Sequence, residues 1–374
     1  METGNAIELK GVTKRFGDVI ANDNVNLTVR KGEILSILGE NGSGKTTLMN
    51  MLSGIYFPDE GEIYVDGKEV TIRSPKDSFA LGIGMIHQHF KLINILTAAE
   101  NIILGLPGKE KLNMKQVEKE IRELTEQYGF DLNPSQKIYD MSVSQKQTVE
   151  IVKVLYRGAD ILILDEPTAV LTPQETEKLF AVLRNMRKAG KSIIIITHKL
   201  NEVLELSDRV AVLRKGKYID TVETAKATVE SLTEMMVGEK VKLDINRTEP
   251  VGAEKRIEMR GITCRNKEGL KVLTEASFTA YSGEILGVAG ISGSGQKELL
   301  ESVAGLQPIE SGEILYFSPE GTTEKISEMK AEDIKNLGIT LSFVPEDRLG
   351  MGLVGSMDLT DNMRSEEHTS ELQS

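Results

Sequence analysis

ILSILGENGSGKTT, residues 34–47, decides the fold. Ile34–Leu38 is a short apolar run without alternation, the pattern of a strand buried on both faces. It runs directly into a glycine-rich turn, residues 39–44, and the spacing predicts a helix over 45–53. Gly39, Gly42 and Gly44 let the backbone turn tightly, so that several N–H groups converge on phosphate oxygens. The helix behind them adds its positive N-terminal end. Lys45 is long enough to reach β- and γ-phosphates, and Thr46 offers a hydroxyl to Mg²⁺. Asn41, Ser43 and Thr47 belong to the same loop and are counted with it. An ordinary glycine turn is the plainer alternative; the strand before the loop and the helix after it favour the phosphate site.

The second element is ILILDEP, residues 161–167, whose Asp165 lies 120 residues beyond Lys45. Four apolar residues make another buried strand. Asp165 then stands at its C-terminal end, where ligands sit in open α/β sheets. It is a candidate for holding Mg²⁺, and Glu166 is the candidate base that orients the attacking water. Alone, two carboxylates at a strand end could equally be caps or ion pairs. His198 closes a third apolar run, IIIITH (193–198), in a position to meet a γ-phosphate. Gln88, in GMIHQHF (84–90), is a candidate ligand for Mg²⁺ and water. Phe16, 23 residues before Gly39, could stack on adenine or sit in the core.

Composition fits this reading. The chain has 374 residues, 57 acidic against 45 basic side chains and a net charge of −12; 40% of residues are apolar and 27% charged. That excludes disorder as the dominant state and argues against a dedicated nucleic-acid binder, which carries a basic footprint. No apolar run approaches the roughly 20 residues that cross a bilayer. The first residues show no export signal, and a single cysteine, Cys264, excludes a disulfide framework. The expectation is a cytoplasmic protein whose membrane role, peripheral on the inner face, comes through a partner.

The chain also repeats itself. IELKGVTKR (7–15) returns as IEMRGITCR (257–265), GEILSILGENGSG (32–44) as GEILGVAGISGSG (283–295), and SGIYFPDEGEIYV (53–65) as AGLQPIESGEILY (304–316). The expected organisation is a first domain over 5–240, a linker over 241–256 and the N-terminal part of a second copy over 257–363. Residues 364–374, RSEEHTSELQS, have no counterpart in the first copy. They back-translate into a common sequencing adapter and are read as a non-native tail. Within the first copy, antiparallel strands are expected at 7–10, 25–29, 61–65 and 69–72. Buried parallel strands are expected at Ile34–Leu38, 161–164 and 192–196. Helices are expected on Met114, Val117, Ile121, Leu124 and Tyr128, at 144–155 and at Pro173–Lys188.

These residues, in this order, resemble the ATP-binding cassette family, and the resemblance runs over residues 5–363. It implies an α/β fold, the P-loop NTPase cassette: a mixed sheet core with an antiparallel β subdomain and a helical subdomain, followed by a partial second copy. In family terms Phe16 stands in the adenine-stacking loop, residues 39–46 are Walker A and Gln88 is the Q-loop. Ser142, Val143, Ser144 and Gln145 form the signature, residues 164–166 are Walker B, and His198 is the switch histidine. ATP and Mg²⁺ are the implied cofactors. The tandem arrangement resembles the ATPase subunit of importers for ribose, galactose or nucleosides. The implied partners are transmembrane permease subunits, a substrate-binding protein indirectly, and a second cassette or a homodimer, with no nucleic acid. The coupling surface is expected to include residues 89–96, which could also simply pack on their own domain.

Departures from the family pattern carry expectations of their own. The signature LSGGQ is MSVSQ here (141–145), so Val143 and Ser144 replace two glycines. The segment after Walker B, TAVLTP, lacks the usual aspartate. The second phosphate loop is GISGSGQK (290–297): Gly290, Gly293 and Gly295 stand, but Gln296 replaces the lysine and Lys297 the hydroxyl residue. Glu346 stands where Gln88 stands in the first copy. In the family, each ATP lies between Walker A of one cassette and the signature of the other, so both defects would fall in one composite site. An asymmetric ATPase is expected, and a chain that binds ATP but turns it over weakly by itself. A soluble tandem cassette acting on the ribosome is the alternative; such proteins resemble one another in a long charged helical linker and two intact phosphate loops, whereas here the linker is short and the second loop degraded. A chromosome-maintenance ATPase would need a coiled-coil insertion for which there is no room before the signature.

Overall fold

The computed structural model describes residues 4–87, 90–106, 113–239, 252–266, 269–290, 294–339, 342, 344 and 352–364. The chain divides into two compact units, Met1–Ile245 and Asn246–Ser374.

The first unit opens with a hairpin of two long strands, β1 (Asn5–Phe16) and β2 (Val19–Arg30), then the loop-leading strand β3 (Ile34–Leu38) and helix α1 (Lys45–Leu52). Next come β4 (Glu60–Val65), β5 (Lys68–Val70), α2 (Pro75–Ala80) and β6 (Ile83–Ile86). A helical layer follows: α3 (Ala98–Ile103), α4 (Met114–Tyr128) and α5 (Val143–Tyr156). The unit closes with β7 (Ile161–Asp165), α6 (Pro173–Lys188), β8 (Ser192–Thr197), α7 (Leu200–Leu206), β9 (Arg209–Arg214), β10 (Lys217–Glu223) and α8 (Val229–Val237).

Two sheets result. One is antiparallel, in the order β2-β1-β4-β5; the other runs β10-β9-β3-β8-β7-β6. In the second sheet β9, β3, β8, β7 and β6 are mutually parallel, and β10 is an antiparallel edge. All five residues of β3 and all six of β8 are buried. Ile37, Ile163, Ile194 and Ile196 pack with Leu48 and Met49 of α1 and with Leu9 and Leu27 of the antiparallel sheet. Ile34, Leu162, Leu164, Ile193 and Ile195 pack on the other face, against Ile151 of α5 and Phe180 and Leu183 of α6. A strand covered on both sides has no polar face, which is why these runs do not alternate. Ala98, Ile102, Val117, Ile121, Val149 and Val152 join α3, α4 and α5 into the helical layer. Among the described residues no helix is long and apolar enough to cross a membrane.

The second unit carries β11 (Lys255–Arg265), β12 (Lys271–Tyr281), α9 (Gln296–Val303), β13 (Ser311–Phe317), β14 (Thr323–Lys325), α10 (Ala331–Asn336) and α11 (Leu359–Arg364). Its sheet, β12-β11-β13-β14, repeats the first antiparallel sheet pair by pair. Leu9 faces Ile63 and Met259 faces Ile314; Lys10 faces Glu62 and Arg260 faces Glu313. The irregularities recur as well. Asn24 at φ 50° and Glu275 at φ 51° are both left-handed, and their N–H groups donate to Thr13 Oγ1 and Thr263 Oγ1 respectively.

The strands are longer than the sequence indicates at β1 and β2, and β5 stops at Val70, leaving Ile72 buried but outside the sheet. The sequence reading also passed over β6, β9, β10, α2, α3, α7 and α8. Of the expected linker, residues 241–251 lie outside the described residues, as do residues 365–374 of the expected tail.

Candidate functional site

The site is assembled where β3, β7 and β8 end side by side. Leu38 pairs with Thr197, and Asp165 pairs with Ile196, so the loops that follow these strands emerge together. The glycine loop needs its glycines for measurable reasons. Gly42 and Gly44 sit at φ 80° and 94°. A Cβ on Gly39 would lie 2.3 Å from the Leu213 carbonyl oxygen and 2.5 Å from Ser43 Oγ. Gly44 is the N-cap of α1 and has no side chain to satisfy the first helical N–H groups, which are left for a ligand.

Lys45 is buried, and its Nζ donates to the carbonyls of Gly39 (2.7 Å) and Glu40 (2.9 Å). Burial pulls its ammonium below the usual lysine range, against the opposing pull of the Glu166, Asp165 and Glu40 carboxylates. Ser43 Oγ is buried without a partner. The loop is thus a polar concavity whose cation rests on backbone oxygens and whose hydroxyl has nothing to bind, which suits an incoming phosphate. Thr46 Oγ1 donates to Asp165 Oδ2 at 3.3 Å, across 119 residues of sequence. Burial raises the Asp165 carboxyl; the Thr46 hydrogen bond lowers it, the Glu166 carboxylate raises it further and Lys45 lowers it.

Glu166 and His198 meet directly: His198 Nδ1 donates to Glu166 Oε1 at 2.9 Å. Glu166 sits in the left-handed region at φ 48°, an unfavourable place for a side-chain-bearing residue. Its own N–H, donated to the Ile196 carbonyl at 2.9 Å, holds it there. Its second oxygen, Oε2, is buried without a partner. His198 therefore fixes one carboxylate oxygen while the other has no hydrogen-bond partner.

Phe16 is 42% exposed at the end of β1, so its alternative as a core residue does not hold. It packs edge-on against Tyr56, with ring centroids 5.1 Å apart. Gln88 lies outside the described residues, as do Gly293 and Glu346. Of residues 89–96, His89 is likewise not described. Both readings of the rest have support: Asn101 holds the backbone of Ile93 through two hydrogen bonds, yet Ile95 is 72% exposed.

The signature-like segment closes on itself. Ser142 caps α5 by accepting from Gln145 N, while the Gln145 side chain accepts from Ser142 N. Val143 and Ser144 are the first two helical residues, and Val143 is exposed. In the second copy, Gln296 Nε2 donates to the Gly290 carbonyl at 3.3 Å, the neutral counterpart of the Lys45–Gly39 contact. Lys297, at the position of Thr46, lies along the helix 3.8 Å from Glu301 and is half exposed. At its described ends the second loop thus repeats one contact of the first, without the ammonium or the hydroxyl.

Several contacts around the site were not legible in the sequence. Gln147 is buried and its Nε2 donates to the Pro167 carbonyl at 2.7 Å, tying α5 to the loop after Glu166. Lys199 Nζ donates to Thr168 O (2.9 Å), Thr168 Oγ1 (3.2 Å) and Glu202 Oε1 (3.0 Å), joining that loop to the segment bearing His198. Gln147 lies two residues beyond the signature and Lys199 follows His198 directly; proximity to the motifs was the only available signal.

Comparison with known proteins agrees with this geometry. The ABC transporter family pattern matches residues 22–169. The chain is 45% identical over 365 residues to the nucleoside import ATP-binding protein NupA of Lactococcus lactis, covering 97% of this chain and 71% of that protein. It is 43% identical to the guanosine import ATP-binding protein NupO of Bacillus subtilis, over 96% of this chain and 69% of that one. It is 40% identical to the glucose import ATP-binding protein TsgD13 of Haloferax volcanii, over 95% and 69%. Among solved structures, the ADP conformation of an ATP-binding cassette of an ABC transporter superposes with a TM-score of 0.54 at 26% identity, over 62% of this chain and 95% of that one.

Proposed function

The chain belongs to the ATP-binding cassette transporter family, and on that premise we propose that it powers import of a nucleoside, or of a simple sugar, by hydrolysing ATP at its first copy. Separate transmembrane permeases would carry the substrate, with the chain held at the inner face of the membrane. The import reading rests on the likeness to NupA, which runs along 97% of the chain. The relatives described above are import proteins, and nothing in them favours action on the ribosome.

The chemistry follows from the residues. The free N–H groups of the loop and of α1, with Lys45, would take the β- and γ-phosphates, and Phe16, braced by Tyr56, would stack on the base. One hydroxyl and one carboxylate, Thr46 and Asp165, suit a hard divalent cation, which takes its other ligands from phosphate and water. Mg²⁺ bound there would supply charge neutralisation on the phosphates. Glu166, held through Oε1 by His198, would orient the attacking water through Oε2 and accept its proton. The second copy, with Gln296 and Lys297 in its loop, is proposed to hold nucleotide weakly or not at all and to act as a structural half.

Uptake of labelled guanosine and labelled ribose by cells carrying Glu166→Gln at the native locus tests this. Loss of uptake of one of them, with normal levels of the protein, supports the proposal and picks the substrate class. Unchanged uptake of both would overturn it.

A further inference from the structure

Asn22 is a polar side chain in an apolar place. It is fully buried on β2, yet the mechanism above does not use it. Its Nδ2 donates to the Gly44 carbonyl at 3.2 Å, and its Oδ1 is buried without a partner. The neighbouring carbonyl is pinned as well: Gly216 N, in the turn between β9 and β10, donates to Ser43 O at 3.2 Å. Gly216 is itself held, its carbonyl accepting from Asp23 N at 2.9 Å. The Gly44 carbonyl also accepts from Leu48 N at 2.9 Å, the first bond of α1, so Asn22 is its second donor; Ser43 O and Gly44 O are both held away from the concavity, by the turn, by β2 and by the helix.

In a trans peptide the C=O and the following N–H point in opposite directions. Pinning Ser43 O and Gly44 O backwards aims the N–H groups of Gly44 and Lys45 forwards, into the concavity. Lys45 is the first residue of α1, so its N–H has no intrahelical partner. A donor on the Gly44 carbonyl also polarises that peptide and strengthens the N–H on its far side.

We infer that Asn22 is a positioning residue for phosphate binding: as the second donor on the Gly44 carbonyl, beside Leu48 N, it reinforces the orientation of the Lys45 N–H and polarises it. The second copy carries the comparison within the same chain. Leu273 takes the place of Asn22, and a Cβ on Gly295 would meet Leu273 Cδ2 at 2.7 Å where one on Gly44 would meet Asn22 Nδ2 at 2.6 Å. The second loop thus lacks its polar support as well as its lysine.

The inference rests on the first loop binding ATP, and calorimetry on the purified chain separates the two claims. If the wild-type chain binds neither ATP nor ADP with Mg²⁺, the site reading itself fails. Given wild-type binding, Asn22→Leu, of similar volume, removes the donor together with the orphaned Oδ1. It should leave the melting temperature of the nucleotide-free chain unchanged or raised, and weaken ATP and ADP alike by about tenfold, the worth of one hydrogen bond. A wild-type affinity in this variant would overturn the inference. Asn22→Asp is the second test. Only a protonated carboxyl can donate to the Gly44 carbonyl, so its affinity relative to wild type should recover as pH falls; a ratio independent of pH would overturn the inference. Unfolding of both variants would also overturn it, making Asn22 a residue of the fold alone.

Discussion

Gly44→Ala is a sharp test of the loop geometry, because Gly42 provides a matched control two residues away. Both glycines are left-handed, at φ 94° and 80°. Forcing a side-chain-bearing residue there costs about 1–2 kcal/mol. At Gly42 nothing lies within 4 Å of the added Cβ, so Gly42→Ala should cost only that strain. At Gly44 the Cβ would lie 2.3 Å from the Ala21 carbonyl oxygen and 2.6 Å from Asn22 Nδ2. The first is backbone within a paired strand and cannot rotate aside. Overpacking of that kind adds about 1–3 kcal/mol. Urea denaturation of the nucleotide-free chain, followed by circular dichroism, should therefore show Gly44→Ala less stable than Gly42→Ala by that second amount. Equal losses in the two variants would refute the claim that β2 packs tightly under the loop.

Two further outcomes follow from the site. Burial raises the Asp165 carboxyl above its ordinary 3.8, so the charged form is disfavoured in the folded state. The neutral carboxyl carries no penalty below that value; stability is lost as pH rises through the raised one. Asp165→Asn should then melt higher than wild type at neutral pH without nucleotide, with the gap closing in acid, while hydrolysis is abolished; a gap constant from pH 3 to 8 would contradict the cause given. Gln147→Leu removes the bond to the Pro167 carbonyl, at a stability cost of about 1–2 kcal/mol. It should lower kcat while leaving ATP affinity near wild type, because the contact supports the loop after Glu166 and not the phosphate loop; a loss confined to affinity would contradict that.

Much of the first copy was legible because its decisive segments are contiguous. A strand, a glycine turn and a helix in one run can be placed without knowing the rest of the fold, and their motifs alone mark Thr46 and Asp165, which meet at 3.3 Å, as candidates for one cation. Local pattern fails where the third dimension decides. GEIL occurs at 32–35 and again at 283–286. In the first copy Ile34 and Leu35 are fully buried in β3; in the second Ile285 and Leu286 are exposed and form no strand. β3 exists because β8 and β9 hydrogen-bond to it on both sides, and residues 284–290 have no such neighbours among the described residues. Asn22 was hidden by a change of phase. Val25, Leu27 and Val29 face inward, and simple alternation would turn residue 22 outward. The left-handed Asn24 and the register shift between Val12 and Lys14 reverse it, so a polar residue enters the core. Glu166–His198 was hidden for another reason: both were assigned to the γ-phosphate end of the site, but their direct contact depends on the turn at φ 48°, which no sequence pattern announces.

Counting nucleotide sites tests the central claim most directly. Titration of ATP and Mg²⁺ into the purified chain should give one site per chain, abolished by Lys45→Ala and unaffected by Gln296→Ala. Binding that survives Lys45→Ala, or that is lost with Gln296→Ala, would place the working nucleotide site in the wrong copy and contradict the account.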